Sequence, residues 1–148
     1  MLAFKEKKII TKNTKLLECE TKHKKNINFY NEIINLLISI YKKAKKNNQN
    51  KLFMIKKYFT NDFCYETISK TNKFIDDLKE YSSITNDKIT KDILTQHLNN
   101  YKKLLPALKC IINNDISIIK FIENNIIEEE EILKMINEIP SPPKTKLN

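Results

Sequence analysis

Residues 16–41 read LLECETKHKKNINFYNEIINLLISIY, and their spacing decides the fold. Leu16, Cys19, His23, Ile27, Tyr30, Ile34, Leu37 and Tyr41 advance by three or four positions, the step that keeps side chains on one helical face. Phe29, Ile33, Leu36 and Ile40 form a second stripe beside that seam. One seam requires one partner helix. Two adjacent stripes require cover on two sides, as in a bundle or a dimer core. A chain this small has little else with which to cover both. The expectation is therefore an elongated dimer in which this helix crosses its twofold mate, with Leu16, Ile27, Tyr30, Ile34, Leu37 and Tyr41 at the interface.

Outward from this stretch, residues 42–51 are polar and asparagine-rich, which marks a frayed end or turn. Residues 52–59 form a short amphipathic piece, and Thr60-Asn61-Asp62 has the composition of a helix N-cap. A second helical pattern runs through Cys64, Ile68, Thr71, Ile75 and Leu78. After the polar residues 82–87 it resumes with Leu94, Leu98, Tyr101, Leu105, Leu108 and Ile112. Pro106 within that run removes a backbone donor and predicts a kink. Asn113-Asn114-Asp115 suits a tight connection, because Asn and Asp tolerate left-handed backbone best after Gly. A last helix reaches Ile139, carries Glu128, Glu129, Glu130 and Glu131, and ends at Pro140. No window alternates as a strand would. The expected fold is all-α: long antiparallel helices in a three-helix coiled-coil bundle. The expected domain spans residues 1–140, with 1–12 as an amphipathic lead-in and 141–148 as a disordered tail.

The chain has no Gly, Trp, Val or Arg, so all 27 basic residues are Lys. Without Gly, phosphate loops built on glycine are excluded. Without Arg, no planar fork is available to grip a phosphate or carboxylate in two places. A net charge of +9 points to an anionic partner. Nucleic acid is not expected, since base readout leans on Arg and no binding motif is visible. Three cysteines without framework spacing predict free thiols in a reducing compartment. No apolar run suggests a signal peptide or membrane span, so a cytoplasmic location is expected.

Two stretches resemble a known family. Leu17-Glu18-Cys19-Glu20-Thr21-Lys22-His23, continuing through Phe29-Tyr30 to Leu36-Leu37, resembles the first helix of amphiphysin/Rvs-type BAR domains, with its "LEKETKKL" stretch and aromatic-led apolar face. Asp92-Ile93-Leu94-Thr95-Gln96-His97-Leu98-Asn99-Asn100-Tyr101, followed by Leu105-Pro106, is similar to that family's second helix and its "VLxPLxxY" segment. Met135-Ile136-Asn137-Glu138-Ile139-Pro140 echoes its "LNEELP". The departures are specific. His97 stands where the family has proline, Asn113-Asn114-Asp115 replaces its basic cluster, and the third helix is short. The resemblance implies a curved homodimer, or a heterodimer with a related BAR protein, peripheral at membranes or the cell cortex. It further implies a role in endocytosis alongside actin-associated proteins.

Little in the chain carries catalysis. Cys19 and His23 share a helical face and could chelate a metal, but they lie on the seam, where core residues are expected. Adjacent Asp76 and Asp77 splay apart, and no nucleophile neighbours a base. No enzyme, metal or cofactor is expected. The lysine clusters remain, and Lys42, Lys43, Lys45, Lys46, Lys56 and Lys57 are the candidate lipid-binding residues. The competing expectation is a helical scaffold or adaptor whose lysines meet an acidic protein without membrane contact.

Overall fold

The structure is a computed structural model that describes residues 2–138, with side chains from residue 12 onward. Five helices follow one another: α1 (Leu2–Lys46), α2 (Lys51–Tyr58), α3 (Asn61–Ile84), α4 (Lys88–Ile112) and α5 (Ser117–Glu138). The chain is all-α, and no strand occurs among the described residues. The expected lead-in is continuous with α1, although the side chains of residues 1–11 lie outside the described residues, as do residues 139–148 with the expected tail.

Helix ends follow from polar residues standing in for glycine. Asn48 and Asn114 carry φ of 53° and 55°, the left-handed turn that stops a helix. In each case the next amide reaches back five residues: Gln49 N–H donates to the Ala44 carbonyl at 2.9 Å and Asp115 N–H to the Cys110 carbonyl at 2.8 Å. Helix starts use side-chain acceptors. Asn50, Thr60 and Asp87 accept from the amides of Phe53, Phe63 and Thr90 at 2.9, 3.3 and 3.3 Å. The Thr90 hydroxyl also donates to Asp87 at 2.6 Å, which holds that carboxyl below its ordinary value.

Four long helices, not three, form the body, because Thr85-Asn86-Asp87 breaks the second long pattern into α3 and α4. Their directions are legible in side-chain pairs. Lys15 meets Glu80 at 3.7 Å and Phe29 meets Phe74 at 5.6 Å between ring centroids, so α1 and α3 are antiparallel. His23 meets His97 and Tyr30 meets Tyr101, so α4 runs parallel to α1. Tyr41 donates to Glu123 at 3.0 Å, placing the start of α5 beside the end of α1. The result is an up-down-up-down bundle with α2 laid across one end, anchored by fully buried Ile55. α4 continues through Pro106, which faces outward, to Ile112.

This arrangement corrects the sequence-based reason for a dimer. Leu37 (1% exposed), Tyr41 (4%), Ile33 (4%) and Ile40 (7%) are buried within one chain, as is Tyr30. Leu16, Ile27, Ile34 and Phe29 are partly buried and pack against the same core. α2, α3 and α5 pack on α1 and α4 reaches it through His97 and Tyr101, which leaves Leu36 (39% exposed) as the uncovered member of the second stripe, so the seam needs no second chain. The core also contains Tyr101, whose hydroxyl is buried without a partner and pushed up to about 12 by burial, Tyr30 and Asp77. No described helix is long and apolar enough to cross a membrane.

Candidate functional site

The end of the bundle built from the α1 C-terminus, α2 and the α4–α5 turn concentrates positive charge. Residues 33–61 contain no carboxylate, and Lys42, Lys43, Lys45, Lys46, Lys51, Lys56 and Lys57 all fall within them. The four-residue turn after Lys46 folds α2 back over the end of α1, so that the Lys51 ammonium sits 5.0 Å from the centre of the Tyr41 ring. Lys56 donates to the side chain of Asn114, which ties α2 to the α4–α5 turn. The six lysines singled out from the sequence are thereby gathered at one end, although they come from two helices.

Their surroundings divide them into groups. Lys42 and Lys45 line a groove with Glu123 and Glu130 of α5, which offsets part of their charge. Lys56 and Lys57 border a cleft of about 510 Å³ floored by Leu52 and Phe53 and closed by Asn50 and Asn114. Lys43 and Lys46 are exposed in the last turn of α1, where cations also complement the helix dipole. Among the described residues the ion pairs are Lys15 with Glu80 and Lys70 with Glu66, so none of these lysines is neutralised by a direct salt bridge.

Three large apolar side chains stand among these cations. Phe53 is 70% exposed, Tyr58 50% and Ile116, just beyond Asn114, 71%. Sequence reasoning passed over them, because periodicity assigned Phe53 and Tyr58 to a short amphipathic piece without showing which face α2 would bury. The signal available was their spacing from Ile55: α2 is too short to bury more than one side, and Ile55 occupies it. Exposed aromatic rings flanked by lysines can enter an apolar or interfacial environment while the ammonium groups stay in water.

A second basic groove lies between α1 and α3, where Lys22, Lys25, Lys70 and Lys73 surround Phe29 and Phe74. Here the charge is already engaged. Lys70 lies 4.8 Å over the Phe29 ring and 3.3 Å from Glu66, and Asp77 accepts from Asn26 at 3.1 Å in the same groove.

The pairing considered for metal resolves differently. His23 is hydrogen-bonded to His97 at 2.9 Å between Nε2 and Nδ1, and the rings stack with centroids 5.0 Å apart. Tyr81 meets His23 edge-on at 5.9 Å. Burial lowers both imidazoles from their ordinary value, and the neighbouring His97 lowers His23 further. Cys19 is buried one turn away, and burial raises its thiol. Among the described residues no group of three or more His, Cys, Asp or Glu side chains could hold a metal ion. His97 lies 74 positions from His23, and no local spacing links the two. Its position between Leu94 and Tyr101, both buried, was the clue that it faces inward. All three cysteines are free.

No protein-family model matches this chain, and neither a curated protein nor a solved structure matches it.

Proposed function

We propose that this chain is a BAR-like helical module that attaches peripherally to anionic membrane surfaces through the basic end of its bundle. The observation that carries the reading is the carboxylate-free stretch 33–61, whose seven lysines share one end of the fold with exposed Phe53, Tyr58 and Ile116. Cations draw the end towards anionic headgroups, and the apolar side chains gain by entering the interface. An acidic protein partner would satisfy the lysines but would leave less reason for solvent-facing rings among them. The resemblance of residues 17–37 and 92–106 to amphiphysin/Rvs-type BAR helices supports the same direction, and through it a role in endocytosis and membrane–actin organisation.

Each lysine near such a surface contributes on the order of 1 kcal/mol. Lys42 and Lys45 count for less, given Glu123 and Glu130 beside them. Co-sedimentation with anionic and neutral vesicles tests the reading. Binding is expected on anionic vesicles only, falling steeply as salt shortens the Debye length from ~10 Å at 0.1 M to ~3 Å at 1 M. Reversal of Lys43, Lys46, Lys56 and Lys57 to Glu should abolish it with helicity intact, and Phe53→Ala should weaken it by roughly tenfold, as loss of a buried aromatic would. Equal binding to neutral vesicles, or indifference to these substitutions, would refute it.

A further inference from the structure

On α2, Leu52, Lys56, Phe53, Lys57 and Asn50 fall within one arc, roughly 160° wide at 3.6 residues per turn, on the side away from buried Ile55. Leu52 stands one turn before Lys56 and Phe53 one turn before Lys57, so each apolar side chain has a cation as its neighbour along the helix. Asn114 of the α4–α5 turn forms the facing wall of the resulting cleft, whose volume is about 510 Å³. That size is ordinary for a small-molecule site, and so is an apolar floor with a few polar groups at its edge. The side-chain oxygen of Asn50 accepts from the Phe53 amide at 2.9 Å, which leaves its NH₂ group to donate.

Charge decides what fits there. No carboxylate lines this cleft, whereas Glu123 and Glu130 line the groove beside Tyr41, Glu128 the one beside Tyr30, and Asp77 the one between α1 and α3. The carboxylates nearest to it in sequence are Asp62 and Asp115. Asp115 is engaged elsewhere, accepting from the Ser117 N–H at 3.0 Å and the Cys110 thiol at 3.8 Å. Asp62 lies beyond buried Phe59, in the first turn of α3. Lys56 is partly buried, and the side chain it donates to is the neutral amide of Asn114. A partly desolvated ammonium with a neutral partner gains from an anion. Two adjacent ammonium groups match two negative charges, and a phosphate monoester carries about −1.5 to −2 at pH 7. A carboxylate would leave one lysine unmatched. Lysines also suit phosphate as point charges, with no need of the planar fork this chain lacks.

We propose that this cleft takes one molecule of a single-chain phosphate monoester, its phosphate held by Lys56, Lys57 and the Asn50 amide and its alkyl chain laid on Leu52 and Phe53. The proposal rests on the membrane reading for the source of the molecule, a lipid and not a free phosphate, but binding itself requires no bilayer.

Titration of the full chain with decyl phosphate below its micelle concentration, followed by calorimetry and amide NMR shifts, tests this with no vesicle present. Saturable one-to-one binding is expected, with the shifts centred on α2 and Asn114. Inorganic phosphate and decanol should each bind at least roughly tenfold more weakly, since each offers half of the contact. Along the series butyl, hexyl, octyl and decyl phosphate, each methylene that reaches Leu52 and Phe53 should strengthen binding by about two- to fourfold, until the chain outgrows the cleft. Lys57→Gln and Asn114→Asp, both at exposed positions, should each weaken binding by roughly tenfold with helicity unchanged. Aspartate tolerates the left-handed backbone at 114 and would set a carboxylate beside Lys56. Lys43→Glu with Lys46→Glu, outside the cleft, should reduce vesicle binding while leaving decyl phosphate binding within about threefold at physiological salt. Equal binding of inorganic phosphate or of decanol would overturn the proposal. So would a gain that continues with every added methylene, or indifference to both Lys57→Gln and Asn114→Asp. Vesicle binding without saturable decyl phosphate binding would overturn this proposal alone, and the converse would overturn the membrane reading alone.

Discussion

Acidification should loosen the bundle where His23 meets His97. Two neutral imidazoles share one proton comfortably at 2.9 Å, one donating and the other accepting. A single added proton is tolerated, since a charged ring can still donate to a neutral one. A second proton leaves two donors face to face and two like charges about 5.0 Å apart. At an effective dielectric of about 20 that repulsion is about 3 kcal/mol. Solvent at these half-buried rings reduces the loss to roughly 1–2 kcal/mol. Both folded-state pKa values lie below the ordinary 6.5, so the pair's contribution is complete above that pH and is lost as pH falls through the lowered values. The other groups facing the pair do not reverse the sign. Tyr81 on α3 and Cys19 on α1 remain protonated, both held above their ordinary values by burial, and Glu20 and Asp87 act on Tyr81. Thermal melts of the wild type should fall as the pH drops below 6.5, by roughly 3–6 °C once both rings are charged. His97→Gln should show distinctly less pH dependence, because only one imidazole remains to charge. Histidine resonances in a proton NMR titration should show two separated midpoints. Identical pH dependence in wild type and His97→Gln, or two independent midpoints near 6.5, would refute the reasoning.

Tyr101→Phe should be neutral to stabilising by up to about 1–2 kcal/mol, read as a raised Tm, because it removes a buried hydroxyl with no partner while keeping the ring against Tyr30 and Phe74. Leu37→Ala should cost about 2–5 kcal/mol, since Leu37 is 1% exposed. Because its cover comes from the same chain, the loss in denaturant stability should be the same at low and high protein concentration, and a loss that vanished at high concentration would return the seam to an intermolecular role.

Local chemistry was the legible part of the fold. The 3.6-residue step in α1, the Thr60 cap and the asparagine turn near residue 114 each depend on neighbours within a few positions, which the sequence displays directly. The partner of a buried face is not displayed. Leu37 and Tyr41 announce burial, but the same spacing serves a twofold mate or an internal helix, and here α2 to α5 supply the cover. For the same reason His97 was not matched to His23 across 74 residues. The candidate site was half legible: a lysine run is visible in composition, whereas the exposure of Phe53 and Ile116 beside it depends on how α2 and the α4–α5 turn are laid across the bundle end. The outward departure of α5 is a case of the opposite kind, since Ile132 and Leu133 carry the spacing of a core face and find no cover within the chain.

Helix order along the chain also determines what a ribosome releases first. α1 emerges with Ile33, Leu37 and Tyr41 bare, because α2 to α5, which bury them, are all synthesised later. α3 and α4, joined through Thr85-Asn86-Asp87, are the first long helices able to pair with their immediate neighbour in sequence. Such local pairing forms fast, before long-range contacts have overcome the entropy of closing their loops. Folding during synthesis is therefore expected to start with the α3–α4 hairpin. α1 docks onto that hairpin afterwards, and until then its apolar stripes are the part of the nascent chain most exposed to aggregation and to chaperones.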